Sequence, residues 1–205
     1  AVPYVTSYYK EDWGFCLPHS LYKSLDINQQ YRCVINSSLE PGNLELLEAE
    51  ISSSLHNKDE IFFSSYLCHP SMANNELSGP VVLSQILKYI KGLPAKNYTY
   101  RFVLVPETIG SLAYLSRRSQ HLINNVVCGF NLSCCGDTNR YTHLQSPSGV
   151  TLADKALKAA LIGKNNVVTK SFLHRGSDER QYCSPNVDLP LCGFSRSKYG
   201  DYIEY

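Results

Sequence analysis

From residue 60 onward, short apolar runs alternate with segments whose apolar residues recur at helical spacing. Ile61–Cys68 is a run typical of a buried strand, and Gly79–Ile90 has the spacing of an amphipathic helix that ends before Gly92. The same alternation predicts three more strands and two more helices: Tyr98–Val105, Val126–Leu132 and Leu191–Phe194, then Gly110–Leu122 and Thr151–Leu161. Thr151 is a favourable N-cap, with Asp154 three positions on as in a capping box. The pattern predicts an α/β fold with a mostly parallel sheet and helices on both faces.

Residues 1–55 follow a different pattern, with no long segment at helical spacing. Tyr31–Ser37 and Leu44–Ile51 alternate as strands do, and a turn at Pro41-Gly42-Asn43 would join them as a hairpin. Tyr4–Phe15 is rich in aromatic residues and is either a strand or a packed loop. We therefore predict a small β-rich N-terminal segment over residues 1–55 and an α/β domain over residues 56–205.

Composition and charge narrow the classes of partner. The chain has 205 residues, of which 18% are charged, and its formal net charge is +1. These values predict neither a nucleic-acid partner nor an anionic membrane partner, and no apolar run approaches the ~18–20 residues of a membrane span. Oligomerisation is left open. Because the sequence does not start with Met, we expect it to be part of a longer or processed protein, truncated at both ends.

The eight cysteines show no CxxC spacing, and several lie in apolar runs, where a free thiol packs as a small apolar side chain. This usage predicts a reducing, cytoplasmic compartment. Glycosylation sequons at Asn36, Asn97 and Asn131 keep a secreted alternative open.

Polar and titratable residues follow the predicted strands, where the carboxyl ends of parallel strands form ligand sites. They are His69, Asn74, Asn75 and Glu76 after the first strand, Glu107 after the second, Ser133, Cys134, Cys135 and Asp137 after the third, and His174, Arg175, Asp178 and Glu179 before the last. Histidine with carboxylates suits zinc, manganese or cobalt. A catalytic zinc site has about three protein ligands and an open position for water, and Glu107 is the candidate to carry the water's proton.

Each of these residues also has a structural explanation. His69 could be a hydrogen-bonding residue, Glu107 could cap the next helix, and Asn74 and Asn75 could be turn residues. Residues 178–180 could form an exposed charged loop. The sequence contains neither a GxSxG nucleophile motif nor a glycine-rich phosphate loop, which argues against a serine hydrolase and a nucleotide-binding protein.

Several motifs resemble those of zinc aminopeptidases. The segment from His69 to Gly79 (HPSMANNELSG) resembles the His…Ala-Asn-Asp-x-x-Ser-Gly region of the leucyl-aminopeptidase and glutamate-carboxypeptidase-like superfamily. PETIGS at 106–111 resembles its Glu-Glu…Gly-Ser segment, and GSDERQY at 176–182 its Ser-Asp…aromatic stretch. The whole chain is similar to a bacterial group of aminopeptidase-like proteins that have a small inserted β domain and are often associated with polysaccharide biosynthesis.

The resemblance implies a phosphorylase/hydrolase-like three-layer sandwich with one or two zinc ions. It makes His69 a metal ligand, places Asn75 where the superfamily has its bridging Asp, and gives Glu107 a metal-binding or catalytic role. Ser133 replaces a further metal-binding Asp, and the last His ligand would follow a Tyr such as Tyr205. The remaining candidates are supporting or substrate-contacting residues: Asn74, Asp178, Glu179 and Arg180.

Three functions remain compatible with these residues. The first is a zinc-dependent hydrolase of peptide or amide bonds, acting through a metal-activated water on a small peptide, amino-acid amide or glycan-linked amide. The second is a catalytically inactive binding module, because neutral Asn75 lacks the charge that offsets two cations. The third is a deacylase of a sugar intermediate.

Overall fold

The computed structural model describes residues 11–14, 17–38, 40–69, 72–198 and 200–201. Its helices and strands in chain order are α1 (His19–Ser24), β1 (Leu47–Ile51), β2 (Glu60–Tyr66), α2 (Ser78–Lys91), β3 (Thr99–Val105), α3 (Ile109–Asn125), β4 (Val126–Leu132), β5 (Tyr141–Leu144), α4 (Leu152–Ala160), β6 (Val167–Lys170), α5 (Glu179–Tyr182) and β7 (Leu191–Ser195). A π-helical turn, Ala73–Leu77, leads into α2. No helix within the described ranges is long and apolar enough to cross a membrane.

The chain divides into two compact units, Ala1–Asn43 and Leu44–Tyr205. In the smaller unit, the described residues form one short helix, α1, and residues 31–38 form no strand. Most of Tyr4–Phe15 lies outside the described residues, and residues 11–14 of that stretch form neither strand nor helix. Whether the N-terminal segment is an inserted domain stays a prediction.

The hairpin predicted between Tyr31–Ser37 and Leu44–Ile51 is wrong. Strand β1 pairs antiparallel with β3, with Leu47 opposite Leu104 and Ile51 opposite Tyr100. The alternation over Leu44–Ile51 correctly predicts a strand, but alternation does not identify a strand's partner.

Buried Arg101 on β3 helps to fix the pairing of β1 with β3. Its guanidinium bonds to the carboxylates of Glu48 and Glu50 on β1 and of Glu60 on β2. The two strands that flank β3 are therefore both tied to one central cation.

The larger unit is built on a mixed seven-stranded sheet in the order β1-β3-β2-β4-β7-β5-β6. Strands β3, β2, β4 and β7 run parallel, whereas β1 and β5 are antiparallel to their neighbours β3 and β7. The predicted α/β class and mostly parallel sheet are confirmed.

Both faces of the sheet are covered, because successive strand residues point to opposite sides. On one face Phe62 packs with Tyr114 of α3 and Tyr182 of α5. On the other face Phe63 stacks on Phe102, with ring centroids 5.0 Å apart, and lies within the core beneath α2. The result is a three-layer arrangement in which β2, β3, β4 and β7 end at one common edge.

Candidate functional site

His69 and Glu76 meet at the carboxyl end of β2. The π-helical turn brings the Glu76 side chain back toward the strand end, where it is fully buried. Its Oε2 accepts the backbone N–H of Cys68 at 2.9 Å, and its Oε1 lies 2.6 Å from Nδ1 of His69. Cys68 and His69 are themselves exposed, and one ligand atom from each of the three residues lies within 4.8 Å of the others. We call Cys68, His69 and Glu76 the strand-end cluster.

Asn74 and Asn75 face the loop after β4. Asn75 is buried, and its Nδ2 donates to Sγ of Cys134 at 3.7 Å. Oδ1 of Asn74 accepts the backbone N–H of Gly136 at 2.7 Å, and a Cβ at that glycine would come within 2.9 Å of the same oxygen. Both amides therefore tie the turn to the neighbouring loop. A metal role for Asn75 and a substrate role for Asn74 stay predictions.

Glu107 follows β3 and is half-buried. Burial raises the pKa of its carboxyl group, and the nearby carboxylates of Glu76 and Glu179 raise it further, while Ser177 and His69 oppose the shift. Thr108, not Glu107, occupies the N-cap position of α3. Glu107 thus belongs electrostatically to the same site as Glu76.

Asp178 and Glu179 are buried at the start of α5, so the exposed-loop explanation is wrong for both. Glu179 accepts a hydrogen bond from Nδ2 of Asn131 at 2.7 Å and lies against the backbone N–H groups of Gly176 and Ser177. Burial raises the pKa of Asp178 to about 7. Arg180 is exposed, as that explanation predicts.

Cys68 and Glu76 are not among the metal ligands that the sequence predicts. The available signal was the carboxylate at position 76, one residue past the Asn75 position at which the resemblance predicts a carboxylate. A π-helical turn shifts the facing of side chains by about one residue relative to an α-helix, which sequence spacing cannot reveal.

A second group with the same three kinds of ligand, a thiol, an imidazole and a carboxylate, was also missed. His143 on β5, Asp154 on α4 and Cys192 on β7 bring their ligand atoms within 4.8 Å of one another, and all three side chains are buried. We call them the buried cluster. The seven cysteines within the described part of the chain form no disulfide.

Comparison with known proteins agrees with the fold. Residues 2–205 match the family model described as a domain of unknown function, DUF4910. A Clostridium acetobutylicum protein, provisionally named for polysaccharide biosynthesis and an aminopeptidase-like domain, is 40% identical over 97% of this chain. A crystal structure from the same organism, provisionally described as a peptidase, is 38% identical with a TM-score of 0.87 and also covers 97% of this chain.

A zinc aminopeptidase from Bacillus subtilis has a TM-score of 0.64 at 15% identity, over 78% of this chain and 42% of its own. The chain spans 45% of the Clostridium relative and 46% of the Clostridium crystal structure. The chain therefore belongs to the DUF4910 family and has the fold of the aminopeptidase-like proteins.

Proposed function

We propose that the intact protein is a zinc-dependent hydrolase of peptide or amide bonds, with its site at the strand-end cluster. The observation that supports the proposal is the position of Glu107, a half-buried carboxylate of raised pKa, beside a sulfur, nitrogen and oxygen donor set. Such a set suits zinc better than magnesium or calcium, which prefer oxygen ligands alone.

The residues present fit a metal ion in donor type and in charge. Cys68, His69 and Glu76 would hold the ion, and the exposed side chains of Cys68 and His69 leave one side of the cluster accessible. Three protein ligands with an open fourth position is the arrangement of catalytic zinc. The ion would supply a Lewis acid and a water of lowered pKa.

The protein's own groups would prepare the site in two ways. Glu76 orients the His69 ring through the contact to Nδ1, as carboxylates do for metal-binding histidines. Glu107 would take a proton from the attacking water and return it to the leaving amine. A raised carboxyl pKa suits this exchange, because a general base is more effective when its pKa is closer to the operating pH.

Replacing Glu107 by Gln tests this role. In the full-length, zinc-loaded protein, Glu107→Gln should lower kcat on an aminoacyl p-nitroanilide by ~10²–10⁴-fold, the range for loss of general acid–base catalysis. Zinc content and thermal stability should not change, since Glu107 is outside the strand-end cluster. Glu45→Gln, at an exposed position, is the matched control. Full activity in Glu107→Gln, or a wild-type protein that retains no zinc, would contradict the proposal.

One observation favours a second candidate, a binding module that does not cleave its ligand. Asn75, at the position of the superfamily's bridging Asp, donates through Nδ2 to Cys134 and brings no charge for a second cation. Ligand binding without turnover in the presence of zinc and of cobalt would support this candidate.

The same activity assay can distinguish between the candidate substrate classes. The name of the Clostridium relative concerns polysaccharide biosynthesis, so N-acylated sugars belong in the same assay as peptides. Release of acetate from such sugars, with aminoacyl amides left intact, would identify the deacylase instead of the peptidase.

A further inference from the structure

The chain makes an unusual turn between β3 and α3. Thr108 has φ 65° and ψ −64°, and the backbone N–H of Ile109 donates to the carbonyl oxygen of Glu107 at 2.7 Å. These values define a three-residue γ-turn with positive φ, which is the rarer and more strained form. A β-branched residue at positive φ is an outlier, so contacts from elsewhere in the fold must hold the turn.

One buried oxygen of Asp178 provides those contacts. Its Oδ1 accepts the backbone N–H of Thr108 at 2.8 Å and lies 2.8 Å from Oγ of Ser111. The same Ser111 hydroxyl is 3.0 Å from the carbonyl oxygen of Thr108. Asp178 therefore holds the N–H side of Thr108, and the Ser111 hydroxyl, which has one proton to donate, lies between Asp178 and the carbonyl side; Asp178 and Ser111 are fully buried.

Close packing beside the turn limits how far the start of α3 can shift. A Cβ added at Gly110 would come within 2.7 Å of Cδ of Pro106 and 2.8 Å of Cβ of Val105. The first turn of α3 thus lies directly against the end of β3. A change in the backbone angles of Thr108 would therefore move the preceding residue, Glu107, more than it moves α3.

We propose that Asp178 is a positioning residue that aims Glu107 into the site by holding Thr108 in the γ-turn. This inference rests on the proposed function, because it assigns Asp178 a part in that same reaction. Only Oδ1 takes part: within the described part of the chain, Oδ2 has no hydrogen-bond partner. The role therefore requires an acceptor oxygen at this place and not a negative charge.

That distinction gives a sharp test in the full-length, zinc-loaded protein. Asp178→Ala removes the acceptor and should lower kcat by ~100-fold, the effect of a misplacement of about 1 Å, with KM nearly unchanged. Asp178→Asn keeps an oxygen at Oδ1 and should stay within ~5-fold of wild type, since one hydrogen bond of ordinary strength is at stake. Equal losses in the two variants would overturn the proposal in favour of a role for the charge.

Thr108→Gly separates positioning from general structural damage. Glycine adopts positive φ without a Cβ penalty, so adding Thr108→Gly to Asp178→Ala should recover ~10-fold of the lost kcat. A role for Asp178 in packing alone predicts no recovery. If Asp178→Ala fails to fold, Ser111→Ala takes its place, with an expected loss of ~5-fold for one hydrogen bond.

A structural readout keeps this inference separate from the proposed function. Crystal structures should show Thr108 at positive φ in Asp178→Asn and away from it in Asp178→Ala, whether or not the wild-type protein cleaves any amide. Absence of turnover in the wild type would refute the proposed function only. Thr108 unchanged in Asp178→Ala would refute the positioning role only.

Discussion

The strand-end cluster and the buried cluster each bring one cysteine, one histidine and one carboxylate within 4.8 Å of one another. In both, the histidine contacts the carboxylate at hydrogen-bond distance, 2.6 Å for His69 and Glu76 and 2.8 Å for His143 and Asp154. The kinds of ligand group alone, a thiol, an imidazole and a carboxylate, do not distinguish the two clusters.

The hydrogen bonds of the two carboxylates differ. Asp154 accepts from the backbone and hydroxyl groups of both Ser146 and Thr151 in addition to His143. A carboxylate offers about four lone-pair sites, so Asp154 has no capacity left for a metal ion. Glu76 accepts only from Cys68 and His69 among the described residues, so part of its capacity remains free.

The two clusters also differ in their exposure to solvent, and this difference again favours the strand-end cluster as the one that could hold a metal. His143, Asp154 and Cys192 are at most 1% exposed, whereas Cys68 and His69 are exposed. A catalytic metal needs an open position, which the buried cluster cannot provide. Ligand type suggests a metal site, but hydrogen-bond capacity and access decide whether the group is one.

Removal of Asp154 should give the largest effect on stability. Asp154→Ala leaves several buried donors without an acceptor, and breaking a buried network of this kind costs about 3–5 kcal/mol of the free energy of unfolding. Urea denaturation of the full-length protein at pH 7 measures it, with exposed Asp59→Ala as the control. A loss below about 1 kcal/mol would mean that the hydrogen bonds do not stabilise the fold.

The pH dependence of this loss follows from the pKa of Asp154. Burial alone would raise it, but hydrogen bonds from Ser146 and Thr151 outweigh burial and hold it below the ordinary value of 3.8. A depressed carboxyl pKa contributes stability that is fully present above the unfolded value and lost as the pH falls through the folded value. The difference between Asp154→Ala and wild type should therefore shrink in acid below pH 3.8.

The sequence predicted Thr151 and Asp154 as a capping box, and the structure confirms it. It also predicted strand β4 with its observed bounds and helices α2, α3 and α4 within a few residues. These elements have strong periodicity or a cap with a local mechanism, so nearby residues determine them.

Features that depend on distant residues were not predictable in the same way. The four-residue strands β5 and β6 are too short and too polar to show alternation, and they exist because β7 offers β5 a free edge. The further roles of Asp154, toward Ser146 and His143, depend on β5. Likewise Glu76 reaches Cys68 and His69 through a π-helical turn, and the positive φ of Thr108 is accompanied by a hydrogen bond from its backbone N–H to Asp178, 70 residues away.

Replacing Glu76 should mainly lower zinc affinity, whereas replacing Asp154 should mainly lower stability. Glu76→Gln removes the charged donor and the orienting contact to His69, so the zinc affinity of the full-length protein should fall at least ~100-fold. Stability should change by less than about 1 kcal/mol, because Gln Oε1 can still accept the backbone N–H of Cys68. Competition with a chromophoric chelator measures affinity, and Glu45→Gln again serves as the control. Unchanged affinity would show that the strand-end cluster is no more a metal site than the buried one.

Cys68 and Cys192 give the smallest but most direct contrast between the two clusters, because alkylation reports the access of solvent to each thiol. Although Cys68 is exposed as a residue, partial burial of its Sγ, with the Glu76 carboxylate beside it, raises the pKa of that thiol to about 12. Full burial raises the pKa of the Cys192 thiol, so neither thiol reacts fast at neutral pH. In a Cys33→Ser background at pH 8.5, iodoacetamide should label Cys68 in the native protein and Cys192 only in denaturant, as peptide mapping would show. Zinc at about ten times its Kd should slow labelling of Cys68 by ~10-fold, since only the metal-free fraction reacts. If zinc does not enter the buried cluster, it should not change the labelling of Cys192. Labelling of Cys192 in the native protein, or a Cys68 rate indifferent to zinc, would therefore remove the distinction between the open and the closed cluster.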